Sequence, residues 1–253
     1  MNTYNIPPNW LGREIRIALV GCGGTGSEMF DELYRIHSLL IALGGEGISV
    51  TAFDPDMVSQ ANVGRQRFWP ADVGYPKAEI LVNRVNSFGG TNWQYSSKRF
   101  GADELSEGFD IIVTCVDSAG TRAEIGGAIS SDEDYDTLLW LDCGNDAYSG
   151  NVIFGHLIAD QDESIRLPNV FDLYPMLATM TETNEPSCST LEALEKQDYG
   201  INRSVAREGA NLLWQLLRHG CIRHHGSFID IRSGTVNPLM IDEHVWSTFT
   251  LAA

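Results

Sequence analysis

The chain alternates short apolar runs with longer stretches in which apolar residues return every three or four positions. Glu14 to Val20, EIRIALV, reads as a strand whose second half is wholly apolar, and it runs straight into GCGGTG at Gly21 to Gly26. Met29, Phe30, Leu33, Ile36, Leu39, Leu40 and Leu43 then recur on a helical period, with Gly44-Gly45 as the stop. ISVTAF follows and ends before Asp54, which completes a strand–helix–strand unit. Beyond an irregular stretch, the spacing predicts a helix from about Lys77 to Ser87 that buries Ile80, Leu81, Val82 and Val85. It then predicts a polar strand near Trp93 to Phe100, a buried strand at Asp110 to Asp117, and a short helix carrying Arg122 and Ile125.

The acidic patch SSDEDYD reads as a solvated loop, followed by strands LLWLDCGN and NVIFGHLI. From Ala159 to Asp198 the periodicity gives way to acidic, Pro-containing and Thr-rich sequence, a run long enough to expect a functional loop. A helix over Asn202 to His219 and a closing hairpin that turns at Ser233-Gly234 complete the chain. Strands this apolar, alternating with helices, predict a doubly wound, mostly parallel α/β sheet with a C-terminal hairpin. The 253 residues fit one domain carrying an irregular crossover at about 159–198.

Charge narrows the choice of partner. With 17 Lys+Arg against 34 Asp+Glu, the net charge of -17 repels nucleic-acid backbones and anionic lipid. Any anionic ligand must therefore be held by a few placed cations and backbone amides. The five cysteines form no C-x-x-C pair, so neither a zinc ribbon nor a disulfide framework is expected. Without a signal-like leader or an apolar run of about 18 residues, a cytoplasmic protein that does not engage membranes is expected.

A strand, a glycine-rich turn and a helix together make an anion site. Gly21 permits the tight turn, Gly23 lets phosphate approach the backbone, and Gly26 lets helix and strand pack closely. The bland alternative is that these glycines only pack a helix on a sheet. Asp54, at the end of the next strand, can accept from ribose hydroxyls. It lies farther from the turn than the ~20 residues usual in NAD enzymes, so the turn alone does not name the nucleotide. DPDMVSQANVGRQRF then places Asp56, Asn62, Arg65 and Gln66 close behind, with Lys77 entering the next helix. A guanidinium fork and a point charge are what a triphosphate requires and a dehydrogenase does not. Two solvated surface cations are the alternative.

GCGGTG, DPDMVSQANVGRQ, GYPKA and VTCVDSAGTR, in that order, resemble the ThiF and MoeB superfamily, which includes the ubiquitin-activating enzymes. The resemblance is strong over Ile15 to Arg122. It implies a Rossmann-like fold, ATP and Mg²⁺, and adenylation of the C-terminal carboxylate of a small ubiquitin-like or sulfur-carrier protein. It further implies a glycine loop of Gly21, Gly23, Gly24 and Gly26, and Asp54 on the ribose. Asn62, Arg65 and Lys77 would meet phosphates, and Asp117 would position the metal-bound triphosphate. A homodimer is expected on the same ground. Two positions depart from the pattern: Ala61 precedes Asn62 where the family has Ser, and Ser118 follows Asp117 where it has Asn. Residues Met1 to Gly12 also lack the Arg that family members commonly lend to a partner subunit.

Later segments, WLDCGN with GNVIFG, RLPNVFDLYP, EPSCSTLEAL and QDYGIN, resemble the ThiF-related proteins of the bacterial PRTRC cassette. Cys188, in EPSCS, stands where related enzymes can carry a thiol that attacks the acyl-adenylate. A loop cysteine without such a role is the competing reading, because no neighbouring cation lowers its pKa. Cys22 is expected to fill space, and His224-His225 to lie in a solvated turn. A nucleotide-binding regulator that has lost transfer, favoured by Ala61 and Ser118, and an NAD-dependent oxidoreductase are the alternative functions.

Overall fold

In a computed structural model of the chain, residues 2–127, 137–158, 165–178 and 197–250 are described. In chain order, the first half contains β1 (Tyr4–Asn5), β2 (Ile15–Val20), α1 (Gly24–Ala42), β3 (Ile48–Phe53), α2 (Lys77–Gly89), β4 (Gln94–Ser96), α3 (Ala102–Leu105), β5 (Ile111–Thr114) and α4 (Ala119–Gly127). The second half contains β6 (Leu138–Asn145), β7 (Ser149–Ile158), α5 (Val170–Leu173), α6 (Ile201–His219), β8 (Cys221–Ile222), β9 (His224–Asp230), β10 (Thr235–Met240) and α7 (Glu243–Thr250).

Eight strands form one sheet in the order β10-β9-β7-β6-β5-β2-β3-β4. From β6 to β4 the neighbours run parallel, and β7, β9 and β10 extend the sheet antiparallel. The alternation of side chains along each strand feeds two cores. Ile17 and Leu19 of β2 pack with Met29, Phe30 and Leu33 of α1 and with Leu212, Leu213 and Leu216 of α6. Ala18 and Val20 pack on the opposite face, with Ile125 of α4 and Val170 and Leu173 of α5. Both faces are covered, which is why the central strands are apolar throughout.

The helical periods end where glycine ends them. Gly44 (φ 82) follows α1, Gly90 (φ 72) follows α2 and Gly220 (φ 73) follows α6, all in the left-handed region that closes a helix without a Cβ penalty. The apolar stripe of α1 is buried only through Ile36. Leu39 and Leu43 are 52% and 53% exposed, because the helix runs past the sheet at that end. The polar strand expected over Trp93 to Phe100 shrinks to β4, since Trp93 and Phe100 turn inward to anchor its ends. The closing hairpin forms as β9–β10, and α7 follows it, packing Phe249 on Phe228 and Tyr174. The acidic loop at 131–136 and most of the irregular run lie outside the described residues.

One expectation is overturned. His224-His225 is part of β9 rather than a solvated turn, and His225 is wholly buried. Its Nδ1 donates to the Phe154 carbonyl at 2.9 Å, and its Nε2 accepts from Trp246 Nε1 at 2.8 Å, so the ring ties α7 to the sheet. Both bonds suit the neutral ring, and burial lowers its pKa from 6.5 to about 4. The ring's contribution to stability is therefore complete above pH 6.5 and is lost as pH falls from 6.5 toward 4, reaching about 2.5 kcal/mol at pH 4.5. Urea unfolding at pH 7 and pH 4.5 should show this loss in the wild type and a loss smaller by about that amount in His225→Gln. Equal losses in the two proteins would refute the assignment.

Candidate active site

The chain passes from β2 to β3 on one side and returns to β5 on the other. This reversal of strand order opens a crevice at the C-terminal strand ends. It is a cleft of about 1340 Å³. Gly21 (φ 88) closes the turn after β2 with its amide bonded to the Phe53 carbonyl at 2.8 Å, and a Cβ there would stand 2.7 Å from the Cys115 carbonyl oxygen. Gly23 caps α1 with no side-chain hydrogen bond, so the first amides of the helix face the cleft beside Gly23 and Gly24. Gly26 does not border the cleft. A Cβ on it would fall 1.9 Å from the Gly21 carbonyl oxygen, so its role is to let the helix meet the turn. Cys22 is buried as expected, and burial pushes its thiol pKa well up.

Asp54, Asn62, Arg65, Lys77 and Asp117 all line this cleft. The Asp54 carboxylate accepts from the backbone N–H of Cys22 at 2.6 Å and of Asp56 at 2.8 Å. Burial raises its pKa, opposed by Lys77 and by these two bonds. Lys77, the first residue of α2, is 7% exposed and reaches the exposed Asp56 carboxylate at 2.8 Å. Asn62 Oδ1 accepts from the Ser59 backbone N–H at 2.8 Å and hydroxyl at 3.0 Å, which leaves Nδ2 as the end available to a ligand. Ser59 thus fixes the amide next to the Ala61 departure. Ser118 caps α4, its hydroxyl accepting from the Thr121 N–H at 3.1 Å, a role for which Ser is well suited.

Burial depresses the Arg65 pKa, partly offset by the charge of Asp117. Among the described residues its Nε, though buried, has no hydrogen-bond partner, and neither does Gln66 Oε1. Cys188 lies outside the described residues. No group of three or more His, Cys, Asp or Glu among the described residues is arranged to hold a metal.

The sequence reading missed three parts of this wall. Arg122 Nε donates to Asp142 Oδ1 at 2.8 Å, and that oxygen also accepts from Thr114 Oγ1 at 2.6 Å, which itself accepts from Trp140 Nε1. Burial works against the Arg122 charge, but Asp142 and then Asp117 outweigh it, and the pKa rises. Arg99, after β4, bonds Thr121 Oγ1 at 2.8 Å across the cleft. Gln197, just ahead of α6, and Asn202, in its first turn, close it over the glycine turn. A spacing signal existed only for Arg122, which ends the D-x-x-x-x-R element. The others are brought in by strand order. Asn145, Asn151, Tyr174, Leu177 and Phe228 also line the cleft.

A doubly wound sheet whose glycine turn, acidic strand ends and half-buried cations open on one crevice defines an α/β protein of Rossmann-like architecture. The chain belongs to the ThiF family, whose sequence profile matches residues 12–194. Comparison with curated proteins finds no match. Among solved structures, selenomethionine PaaA is similar at 14% identity with a TM-score of 0.60, covering 90% of this chain and 64% of that one. E. coli MccB solved with ATP is similar at 14% identity and a TM-score of 0.56, with the same coverage. MccB solved with MccA-N7isoASN gives 13% and 0.57. The chain spans 64% of the length of these proteins, and at such identities the likeness is one of fold. No helix among the described residues is long and apolar enough to cross a membrane.

Proposed function

We propose that this chain binds ATP in the cleft and adenylates a carboxylate. The observation that carries the reading is the convergence, on one crevice, of uncapped helix amides, Asp54, Asn62, Arg65, Lys77 and Asp117. In the reaction a carboxylate oxygen attacks the α-phosphorus of ATP, the bond to the bridging oxygen breaks, and pyrophosphate leaves. No strong base is needed. What the step requires is neutralisation of charge on the phosphate oxygens. The α1 amides, Arg65 and Lys77 supply it, while Asp54 takes the ribose hydroxyls. Mg²⁺, held by Asp117 together with phosphate oxygens and water, would neutralise the departing pyrophosphate.

The cleft exceeds the ~300–1,000 Å³ usual for a small-molecule pocket, which leaves room for another reactant beside the nucleotide. That reactant is taken to be the C-terminal tail of a small ubiquitin-like or sulfur-carrier protein. Structures of MccB with ATP and with MccA support a nucleotide and a second substrate sharing such a fold. The later sequence motifs support grouping the chain with the PRTRC-cassette proteins.

ATP–pyrophosphate exchange in the presence of candidate carrier proteins is the test, with calorimetry of ATP·Mg²⁺ and NAD beside it. Carrier-dependent exchange, and ATP binding tighter than NAD, are expected. Tight ATP binding with no exchange for any carrier would favour a nucleotide-binding regulator, and preference for NAD would overturn the reading.

A further inference from the structure

Arg65 does not enter the cleft alone. Its Nη1 donates to Gln197 Oε1 at 3.2 Å, and the same oxygen accepts from Asn202 Nδ2 at 3.2 Å. Asn202 Oδ1 in turn accepts from Thr25 Oγ1 at 2.9 Å, and its amide lies against Gly24, where a Cβ would come within 2.8 Å of it. A continuous chain of hydrogen bonds therefore links the guanidinium to the first turn of α1. Gln197 is itself held in place, because the next residue, Asp198, donates its N–H to the Ala147 carbonyl at 2.7 Å.

The tether engages a particular end of the guanidinium. Arg has two forks of paired N–H groups: an end-on fork of Nη1 and Nη2, and a side-on fork of Nε and Nη2. Gln197 engages Nη1 and leaves both nitrogens of the side-on fork untouched. Among the described residues Nε and Nη2 have no hydrogen-bond partner, and Nε is buried. The remaining side-on fork matches two oxygens of one phosphate. We propose that Gln197 is a positioning residue that turns Arg65 so that its Nε–Nη2 edge receives the phosphate chain. This rests on the reading above that the cleft takes a nucleoside triphosphate. Gln197 does not touch the phosphate. It acts through Arg65.

Two measurements on wild type, Gln197→Ala and Gln197→Glu test it. The first is the rate at which phenylglyoxal modifies Arg65, followed by peptide mass mapping without nucleotide. Loss of the tether in Gln197→Ala should raise this rate roughly 3- to 10-fold, in line with one hydrogen bond, and Gln197→Glu, which keeps the acceptor, should return it to the wild-type value. The second is calorimetric affinity for ATP·Mg²⁺ and for adenosine. Gln197→Ala should weaken ATP by roughly 3- to 10-fold, leave adenosine unchanged, and add nothing in an Arg65→Ala background. An Arg65 modification rate within twofold of wild type in Gln197→Ala overturns the tether, as does equal weakening of ATP and adenosine. If the wild type takes no ATP, the adenylation reading falls, and the modification rates still decide whether Gln197 holds Arg65.

Discussion

Replacing Arg122 by Met is expected to destabilise the fold by about 3 to 5 kcal/mol, the cost of leaving a buried charge without its partner. The Asp142 carboxylate is only 2% exposed and would keep a single hydrogen bond, from Thr114, in place of an ion pair. Asp142 sits in the body of β6 opposite Thr114 of β5, which sets where its carboxylate lies. Urea unfolding at pH 7 would measure the loss. The double variant Arg122→Met with Asp142→Leu should recover a large part of it, since the charge and its partner leave together. A loss below about 1 kcal/mol in the single variant would mean that the pair is solvated and does not hold the cleft wall.

For the ligand, the largest effect is expected at two cations that line the cleft, Arg65 and Lys77. Lys77→Ala and Arg65→Ala should each weaken ATP·Mg²⁺ by about 1.5 to 3 kcal/mol, roughly 10- to 150-fold, and leave adenosine nearly unchanged. Lys77 shares its charge with Asp56, whose carboxylate is exposed and free to rotate away, so the lysine can turn to phosphate at little cost. Burial already disfavours the charge on Arg65, and an anion placed against it relieves that penalty. Calorimetry with both ligands separates these effects. Parallel weakening of ATP and adenosine would show that the substitutions deform the cleft instead of removing phosphate contacts.

What was legible in the sequence follows from the range of the signals. The glycine turn, α1, β3 and α2 are written in adjacent residues, and their stops at Gly44 and Gly90 are local, so periodicity and left-handed glycine sufficed. The cleft-lining residues Asp54, Asn62, Arg65 and Lys77 lie within one contiguous stretch and could be read together with it. The Arg122–Asp142 pair could not, because it exists only through the registry of β5 with β6. Gln197 meets Arg65 across 132 positions of chain, and no spacing rule reaches that far. His225 misled for a related reason: two consecutive histidines look solvated, yet the first lies half in solvent and the second faces Phe154 across the sheet. The helix α7 went unread because its apolar residues Val245, Trp246 and Phe249 span little more than one turn, too short a window for a period to emerge.

Gly26 and Gly21 touch so closely that the end of β2 and the first turn of α1 pack as one piece. One side of the cleft is therefore a fixed anvil. A ligand is not accommodated by bending the glycine turn, because no space is left between Gly26 and the Gly21 carbonyl. A side chain introduced at Gly26 would therefore be felt first at the joint between sheet and helix, and through it at Gly21 on the cleft wall.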